Sequence, residues 1–176
     1  MCDYVVAAPI NPGAHVDHRH RAGDPPAGEG VIADMRFETG VDIDASAEQV
    51  WRVMADVVRW PEFTPTMTTV EHLGDGPLRL GGRLRIKQPG LPPMVWQVTE
   101  FTEGRSFAWQ AAGGGVTTLG THVLTPRDGG VSVVLGIVQS GPLAPLMGLL
   151  VGGRTRRYVR TEAEGLKRRC ESGDDR

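Results

Sequence analysis

The most constraining feature of this chain is a run of six short segments in which polar and apolar residues alternate. A two-residue period over so few residues is typical of half-buried β-strands. Turn-forming glycine, proline and aspartate residues separate the segments, and connections this short favour antiparallel pairing. Six such strands in succession exclude a parallel βαβ sheet. We predict strands near Met67–Leu73, Arg83–Gln88, Met94–Phe101, Ser106–Ala111, Thr117–Thr125 and Val131–Gln139.

A further strand and a pair of short helices precede this run. Phe37, Thr39, Val41 and Ile43 alternate with polar residues from Arg36 onwards. The tetrapeptide Ser46-Ala47-Glu48-Gln49 then forms a capping-box pattern, in which the Ser46 and Gln49 side chains each bond to the other's backbone amide. Pro61 and Pro65 end the helical region. We expect Trp51 and Trp60 to pack these short helices against the open end of the sheet.

A long helix is predicted from Leu143 to Cys170. One stripe of this helix contains Met147, Leu150, Val151, Arg154, Tyr158, Glu162 and Leu166. Gly152-Gly153 lies within it at a cost of about 2 kcal/mol relative to alanine, and marks either a bend or a close approach to the sheet or a ligand. A curved seven-stranded antiparallel sheet needs this helix to cover its concave face. The expected fold class is α+β, with a cavity where helix and sheet separate.

The first 34 residues contain four prolines and no sustained periodicity, so we expect a disordered N-terminal tail over residues 1–34. His15, His18 and His20 lie there, and a solvated segment explains them better than a metal site, because metal ligands need a fixed scaffold. The strand pattern begins at Met35, which suggests that the tail is a non-native extension. The folded domain is expected over residues 35–171, with a flexible C-terminus at 172–176.

Composition narrows the possible partners. The formal net charge is −2, which gives no basis for a nucleic-acid partner. The two cysteines, Cys2 and Cys170, show neither disulfide nor metal spacing, and no signal-peptide core is apparent. No apolar run reaches the roughly 18 residues that would span a bilayer. We therefore expect a cytoplasmic protein without stable membrane insertion, and the oligomeric state is left open.

Three stretches resemble a known superfamily. Residues 41–51 (Val-Asp-Ile-Asp-Ala-Ser-Ala-Glu-Gln-Val-Trp) resemble the opening of the SRPBCC proteins, the START-like helix-grip superfamily. Residues 56–63 resemble its next signature, an Asp followed by Trp-Pro, and residues 120–143 resemble its last strands and the start of its final helix. The most similar subgroup is the polyketide cyclase/dehydrase type, over about residues 35–171. The resemblance implies the helix-grip fold, but fold alone does not set function.

The superfamily includes aromatases, cyclases, ubiquinone-binding proteins, lipid carriers and ligand receptors. The first expectation is therefore a protein that binds a small hydrophobic molecule, aromatic, polyketide-like or lipid-like, between sheet and helix. One alternative is a cyclase, aromatase or dehydratase that acts on a polyketide-like substrate without metal or nucleotide cofactor, by restricting conformers and moving protons. Another is a ubiquinone- or membrane-associated binding module, which an exposed apolar rim around Leu91, Pro92, Pro93 and Met94 would favour.

His122 is the candidate catalytic residue. It is expected on the cavity face of its strand, in phase with Leu124, and an imidazole that titrates near neutral pH could transfer protons or bind a ligand. Core packing is the competing explanation. Arg154 shares the apolar helix stripe and needs a carboxylate or carbonyl partner from the protein or the ligand. The expected ligand-binding residues are Trp96, Phe107, Trp109, Leu124, Met147, Leu150, Arg154 and Tyr158.

The phase of the fourth predicted strand, Met94–Phe101, cannot be assigned from the pattern. One face would present Met94, Trp96, Val98 and Glu100, whereas the other would present Val95, Gln97, Thr99 and Phe101. The first choice brings Glu100 into the cavity, and the second brings in Gln97 and Thr99. No metal ligands and no phosphate-binding loop are apparent, so no cofactor is expected.

Overall fold

The computed structural model of this protein describes residues 35–172. The N-terminal elements are β1 (Met35–Ile43), α1 (Ala47–Ala55) and a 3-10 helix (Val57–Glu62). The strands that follow are β2 (Thr69–His72), β3 (Arg83–Lys87), β4 (Met94–Thr102), β5 (Ser106–Gly113), β6 (Val116–Arg127) and β7 (Gly130–Ser140), and α2 (Ala144–Glu171) comes last. The predicted α+β helix-grip fold is confirmed. The expectations for the tail at 1–34, its histidines and the last four residues lie outside the described residues.

The seven strands form one curved antiparallel sheet in the order β1-β7-β6-β5-β4-β3-β2. Strands β2 to β7 are a meander of hairpins, and β1 closes the other edge by pairing Met35 with Gln139 and Ile43 with Val131. The turn between β6 and β7 places Gly129 at a φ of +79°, a left-handed conformation that glycine adopts without steric cost. Short turns of this kind fix the register that brings the aromatic residues of neighbouring strands side by side.

The start of α1 differs in one respect from the capping-box expectation. Ser46 Oγ accepts a hydrogen bond from the Gln49 amide at 3.2 Å, as predicted. The Gln49 side chain does not return to Ser46, because its Nε2 donates instead to the carbonyl of Cys170 at 3.0 Å. The bond therefore connects α1 to the C-terminal end of α2.

The hydrophobic core lies where α1, the 3-10 helix and the C-terminal half of α2 meet the concave face of the sheet. Its fully buried members include Ile43, Val50, Met54, Trp60, Leu135 and Leu166. Trp51 packs against Phe101 and Phe107, and Trp60 packs against Trp109 and His122. Trp51 Nε1 donates to Glu103 at 2.7 Å, and Trp60 Nε1 donates to the Met54 carbonyl at 3.2 Å, so both indole donors have partners.

Strand β4 takes both of the phases that the sequence left open. Met94, Trp96 and Val98 face the concave side, whereas Val95 and Gln97 are exposed. The pairing with β5 then shifts between Val98 and Glu100, as in a β-bulge. One extra residue reverses the alternation, so that Phe101 turns inward beside Trp51 and Glu100 stays exposed. Neither phase alone describes this strand.

The glycine pair does not end α2, which is helical from Ala144 to Glu171. A Cβ on Gly152 would lie 3.2 Å from the sulfur of Met35, whereas a Cβ on Gly153 would meet no atom of residues 35–172 within 4 Å. Gly152 is therefore a place where the helix passes close to β1, the second of the two interpretations offered by the sequence. Gly153 has no such contact.

Candidate functional site

A cavity of about 240 Å³ lies between the concave face of the sheet and α2. This is close to the lower end of the range of about 300–1,000 Å³ typical of small-molecule sites. Its lining is mostly apolar and includes Met67, Ile86, Leu91, Met94, Trp96, Trp109, Val116, Leu135, Ile137, Met147, Val151 and Val159. Its polar side chains are Gln88, Thr118, His122, Gln139, Arg154, Thr155, Tyr158 and Glu162. The site thus combines an apolar body with a few polar groups.

The aromatic wall of the cavity depends on a glycine. Trp109 on β5 is paired with Gly120 on β6, and a Cβ at position 120 would lie 2.5 Å from the Trp109 indole nitrogen. Only glycine therefore lets the indole lie across β6. Trp96 packs against Trp109 with ring centroids 5.7 Å apart and also lines the cavity. The two adjacent indoles, whose planes are inclined at 53°, form an aromatic wall against which an apolar or ring-containing ligand can pack.

His122 lies within this aromatic cluster and is only 3% exposed. Its ring stacks on Phe107 at 4.1 Å between centroids and meets Trp60 and Trp109 edge-on. Burial lowers the pKa of His122 to about 3, against a smaller opposing contribution from the Phe107 backbone. Nδ1 has no hydrogen-bond partner among the described residues. The imidazole is therefore neutral near pH 7, unlike the near-neutral titration expected from the sequence.

Glu162 is the functional candidate that the sequence reasoning did not select. It lines the cavity from α2, and its Oε1 accepts a hydrogen bond from Thr66 Oγ1 at 2.8 Å. Thr66 in turn bonds to the buried Thr64 hydroxyl at 2.9 Å. Burial raises the pKa of Glu162 to about 7, although the Thr66 bond opposes the rise. This carboxyl is thus shared between its two protonation states near neutral pH.

A signal for Glu162 was present in the sequence, because it continues the stripe of Arg154 and Tyr158 at intervals of four residues. Thr66 gave no such signal, since it precedes β2 in an irregular segment. Only the fold brings its hydroxyl to α2. Gln139, which also lines the cavity, likewise gave none. Its Oε1 is buried with no hydrogen-bond partner among residues 35–172, while its Nε2 donates to Thr118.

The other end of the cavity is bordered by turns. Gly113 and Gly114 of the β5–β6 turn and Leu91 of the β3–β4 loop line it there, together with Met147. Because Gly113 and Gly114 are exposed to solvent and also line the cavity, this end is its entrance. Tyr158 connects helix and loop, since its hydroxyl donates to the Pro89 carbonyl at 3.2 Å.

Arg154 points into the same end of the cavity. Its guanidinium lies beside the β3–β4 loop, where a Cβ on Gly90 would be 3.4 Å from one of its nitrogens. Within residues 35–172 Arg154 forms no ion pair. Of the two partners that the sequence left open, a protein carboxylate is not found among residues 35–172, and a ligand oxygen stays a prediction.

The structure places six of the nine predicted site residues on the cavity surface: Trp96, Trp109, His122, Met147, Arg154 and Tyr158. Phe107 and Leu124 are buried in the core behind that surface, where Phe107 supports the His122 ring. Leu150 points outward and is 68% exposed. The cavity face of α2 runs through Met147, Val151 and Arg154, and one residue of helix turns a side chain by about 100°. Leu150, one residue before Val151, is therefore directed away from the cavity.

Among residues 35–172, no three His, Cys, Asp or Glu side chains come together in a way that could hold a metal ion. Over the same residues, no helix is both long and apolar enough to cross a bilayer.

Solved structures of similar fold have low sequence identity to this chain. The Zhui aromatase/cyclase from Streptomyces sp. R1128 is 19% identical, with a TM-score of 0.62 over 78% of this chain and 94% of that one. Norcoclaurine synthase from Thalictrum flavum is 16% identical, with a TM-score of 0.65 over 89% and 100% of the two chains. A hypothetical protein from Helicobacter pylori reaches 0.68 at 15% identity over 88% and 99%. At these identities the likeness shows the shared fold.

No curated protein matches the sequence of this chain significantly. A family model does match it, over residues 34–171, which is most of the chain and the whole of the cavity-forming domain. The family is described as polyketide cyclase / dehydrase and lipid transport. The subgroup suggested by residues 41–51 and 56–63 is thereby confirmed, and the chain belongs to this family of polyketide cyclases/dehydrases and lipid transport proteins.

Proposed function

We propose that this protein binds an amphipathic small molecule, whose apolar body fills the cavity and whose anionic group meets Arg154. The observation that carries the proposal is an arginine on the surface of a mostly apolar cavity, with no ion-pair partner in residues 35–172. A ligand carboxylate would supply charge-assisted hydrogen bonds there, in a site partly shielded from water.

The spacing of the polar groups sets the length of such a ligand. Arg154 and Glu162 share the cavity face of α2 and are eight residues apart, or about 12 Å along the helix axis. Between them the ligand would pack against Trp96 and Trp109 on the sheet. A molecule that fits has a hydrophobic chain or ring system about 12 Å long, a carboxylate at the entrance and a polar group at the inner end.

The test compares dodecanoate with dodecanol, which differ only in the head group. Binding is followed by displacement of a fluorescent apolar probe. We expect dodecanoate to bind roughly tenfold more tightly than dodecanol, because a charge-assisted hydrogen bond contributes about that much to the binding free energy. Arg154→Gln should remove this preference, whereas Arg157→Gln, on the exposed side of α2, should keep it. Equal affinity of the wild-type protein for acid and alcohol would contradict the proposal.

A second candidate function is proton-transfer catalysis of the cyclisation or dehydration type, and Glu162 favours it. Dehydration of a β-hydroxy carbonyl compound removes a proton from carbon and returns one to the departing hydroxyl, which leaves as water. A carboxyl with a pKa of about 7 can do both near neutral pH. His122, with a pKa of about 3, is too weak a base for this role, so Glu162 replaces it as the proposed acid/base group.

A substrate-independent probe tests this candidate. With 5-nitrobenzisoxazole, a base removes the proton on carbon 3 while the nitrogen–oxygen bond breaks, and a coloured cyanophenolate is released. The rate should rise with pH around a midpoint near 7, where Glu162 ionises. Glu162→Gln should lose the activity, whereas Glu164→Gln, an exposed carboxylate two residues further on, should keep it.

Thr66→Val is a more specific test of Glu162 as the acid/base group than Glu162→Gln. Removing the hydroxyl that stabilises the Glu162 carboxylate raises the pKa of Glu162, so the midpoint should move to higher pH while activity remains. A midpoint unaffected by Thr66→Val, or activity retained in Glu162→Gln, would leave the binding function as the only candidate.

A further inference from the structure

The first half of α2 presents an exposed apolar face. Its N-cap, Leu143, and three leucines of its first two turns project from one side of the helix. The exposed fractions are 46% for Leu143, 52% for Leu146, 84% for Leu149 and 68% for Leu150. Isolated exposed leucines are ordinary on protein surfaces, but four on two helical turns form a contiguous patch. We call Leu143, Leu146, Leu149 and Leu150 the leucine patch.

Positive charge follows the leucine patch along the same helix. Arg156, Arg157 and Arg160 are exposed one to three turns further on. No Asp or Glu occurs between Gly129 and Thr161, so nothing on this part of the chain offsets those charges. The other two segments at the cavity entrance, the β3–β4 loop and the β5–β6 turn, also contain no acidic residue. The entrance end of the molecule is thus apolar and basic.

The leucine patch borders the entrance directly. A Cβ on Gly115 would lie 3.2 Å from Leu143, so the patch begins against the β5–β6 turn whose Gly113 and Gly114 line the cavity. Pro92 and Pro93 of the β3–β4 loop are exposed at the same end. Met147, on the same two turns as the patch, lines the cavity.

We propose that the leucine patch and its following arginines dock the protein on an anionic lipid bilayer, with the cavity entrance against the lipid. Exposed leucines, followed by arginines that form no ion pair among residues 35–172, match the two parts of such a surface, acyl chains beneath anionic head groups. The proposed docking depends only on this surface, and it does not depend on which molecule the cavity binds.

The test is co-sedimentation of the full chain with vesicles. We expect the protein to bind vesicles of phosphatidylcholine and phosphatidylglycerol roughly tenfold or more tightly than phosphatidylcholine alone, and to lose this binding at high salt. Leu146→Asp/Leu149→Asp should abolish it. Leu80→Asp is the matched control, because Leu80 is 64% exposed in the loop before β3 and should leave binding unchanged.

Charge is tested in the same way. Arg156→Gln/Arg157→Gln should weaken binding to the mixed vesicles roughly tenfold, whereas Arg83→Gln/Arg105→Gln removes the same charge from other exposed sites without that loss. All these positions are exposed, so thermal unfolding should be unchanged. Equal affinity for both vesicle types, no binding to either, or binding by Leu146→Asp/Leu149→Asp would overturn the proposal. So would a dimer that this leucine variant dissociates, since a second copy would then cover the patch.

Discussion

The two halves of α2 meet different surroundings although they form one continuous helix. In the second half, Val159, Ala163, Leu166 and Cys170 are buried against the core. Gly165 lies so close to the 3-10 helix region that a Cβ there would be 2.7 Å from the Phe63 carbonyl. The first half buries only Ala144 and Gly152. Its apolar side chains are divided between the cavity and solvent.

This difference implies that the second half of α2 contributes mainly to stability and the first half mainly to function. A side chain stabilises the fold when it leaves water for a packed interior, and the cavity side chains of the first half lack part of that packing. Segments with few buried contacts open at low free energy, as ligand entry requires. We therefore expect substitutions in the second half to change the free energy of unfolding, and substitutions in the first half to change binding.

The largest difference in the free energy of unfolding is expected between variants of two leucines, one in each half of α2. Leu166→Ala removes a fully buried side chain and should lower the free energy of unfolding by about 2–5 kcal/mol, through lost burial and a residual cavity. Leu149→Ala, at 84% exposed, should change it by no more than about 0.5 kcal/mol. Urea unfolding of the two variants makes the comparison. Equal destabilisation would show that the first half is packed as firmly as the second.

The next largest effect concerns pH, because Glu162 lies in the second half yet faces the cavity. Its folded-state pKa of about 7 exceeds the ordinary 4.5, so the native state holds the proton more tightly than the unfolded chain. The stabilisation is complete below pH 4.5 and is lost as pH rises through 7, by up to about 3 kcal/mol. Glu162→Gln should abolish this loss in urea titrations at several pH values, and Glu164→Gln should preserve it.

The contribution of His122 to stability changes with pH in the opposite direction. Its pKa falls from 6.5 to about 3 on folding, so its contribution is complete above pH 6.5 and is lost as pH falls to 3. Between pH 4.5 and 6.5 the two groups oppose each other, and the wild-type stability should vary little with pH. In Glu162→Gln the His122 effect remains alone, so stability should rise with pH across that window. A flat profile in this variant would contradict the assigned burial of His122.

The sequence predicted the sheet because each strand has one buried face and the turns between strands are short. The same logic placed Trp109 and His122 towards the concave side, where both line the cavity, but it left the direction of Trp96 open. It could not detect the bulge at Thr99, since one inserted residue leaves the alternation on either side intact and only strand pairing reveals the shift. Trp96 and Phe101 are an odd number of residues apart, so strict alternation would direct them to opposite faces. The bulge lets both side chains point towards the core.

Details of the cavity were less predictable than the fold. The stripe pattern gives the direction of a helical side chain only to within about a quarter turn. It therefore grouped Leu150 with Met147, although only Met147 lines the cavity. Glu162 acquires its raised pKa and its hydroxyl partner from burial and from Thr66, which is 96 residues away in sequence. Long-range contacts of this kind leave no local pattern.

Two glycines provide a smaller test of the same contrast between the halves of α2. In Gly165→Ala the added methyl group would be 2.7 Å from a backbone oxygen, which cannot move as a flexible side chain would. We expect a loss of about 1–3 kcal/mol from overpacking, despite the better helix propensity of alanine. Urea unfolding measures it. A stabilised Gly165→Ala protein would show that α2 can move away from the 3-10 helix at no cost.

Gly153→Ala should have the smallest effect and the opposite sign. Gly153 lies in the helix interior, its φ is not in the left-handed region, and an added Cβ meets nothing within 4 Å. Alanine should therefore stabilise by about 0.5–1 kcal/mol, because it restricts the unfolded chain and favours the helix. The urea midpoint should rise at constant slope. If it falls, the first half of α2 needs the freedom of Gly153, and the loss should then be accompanied by weaker dodecanoate binding.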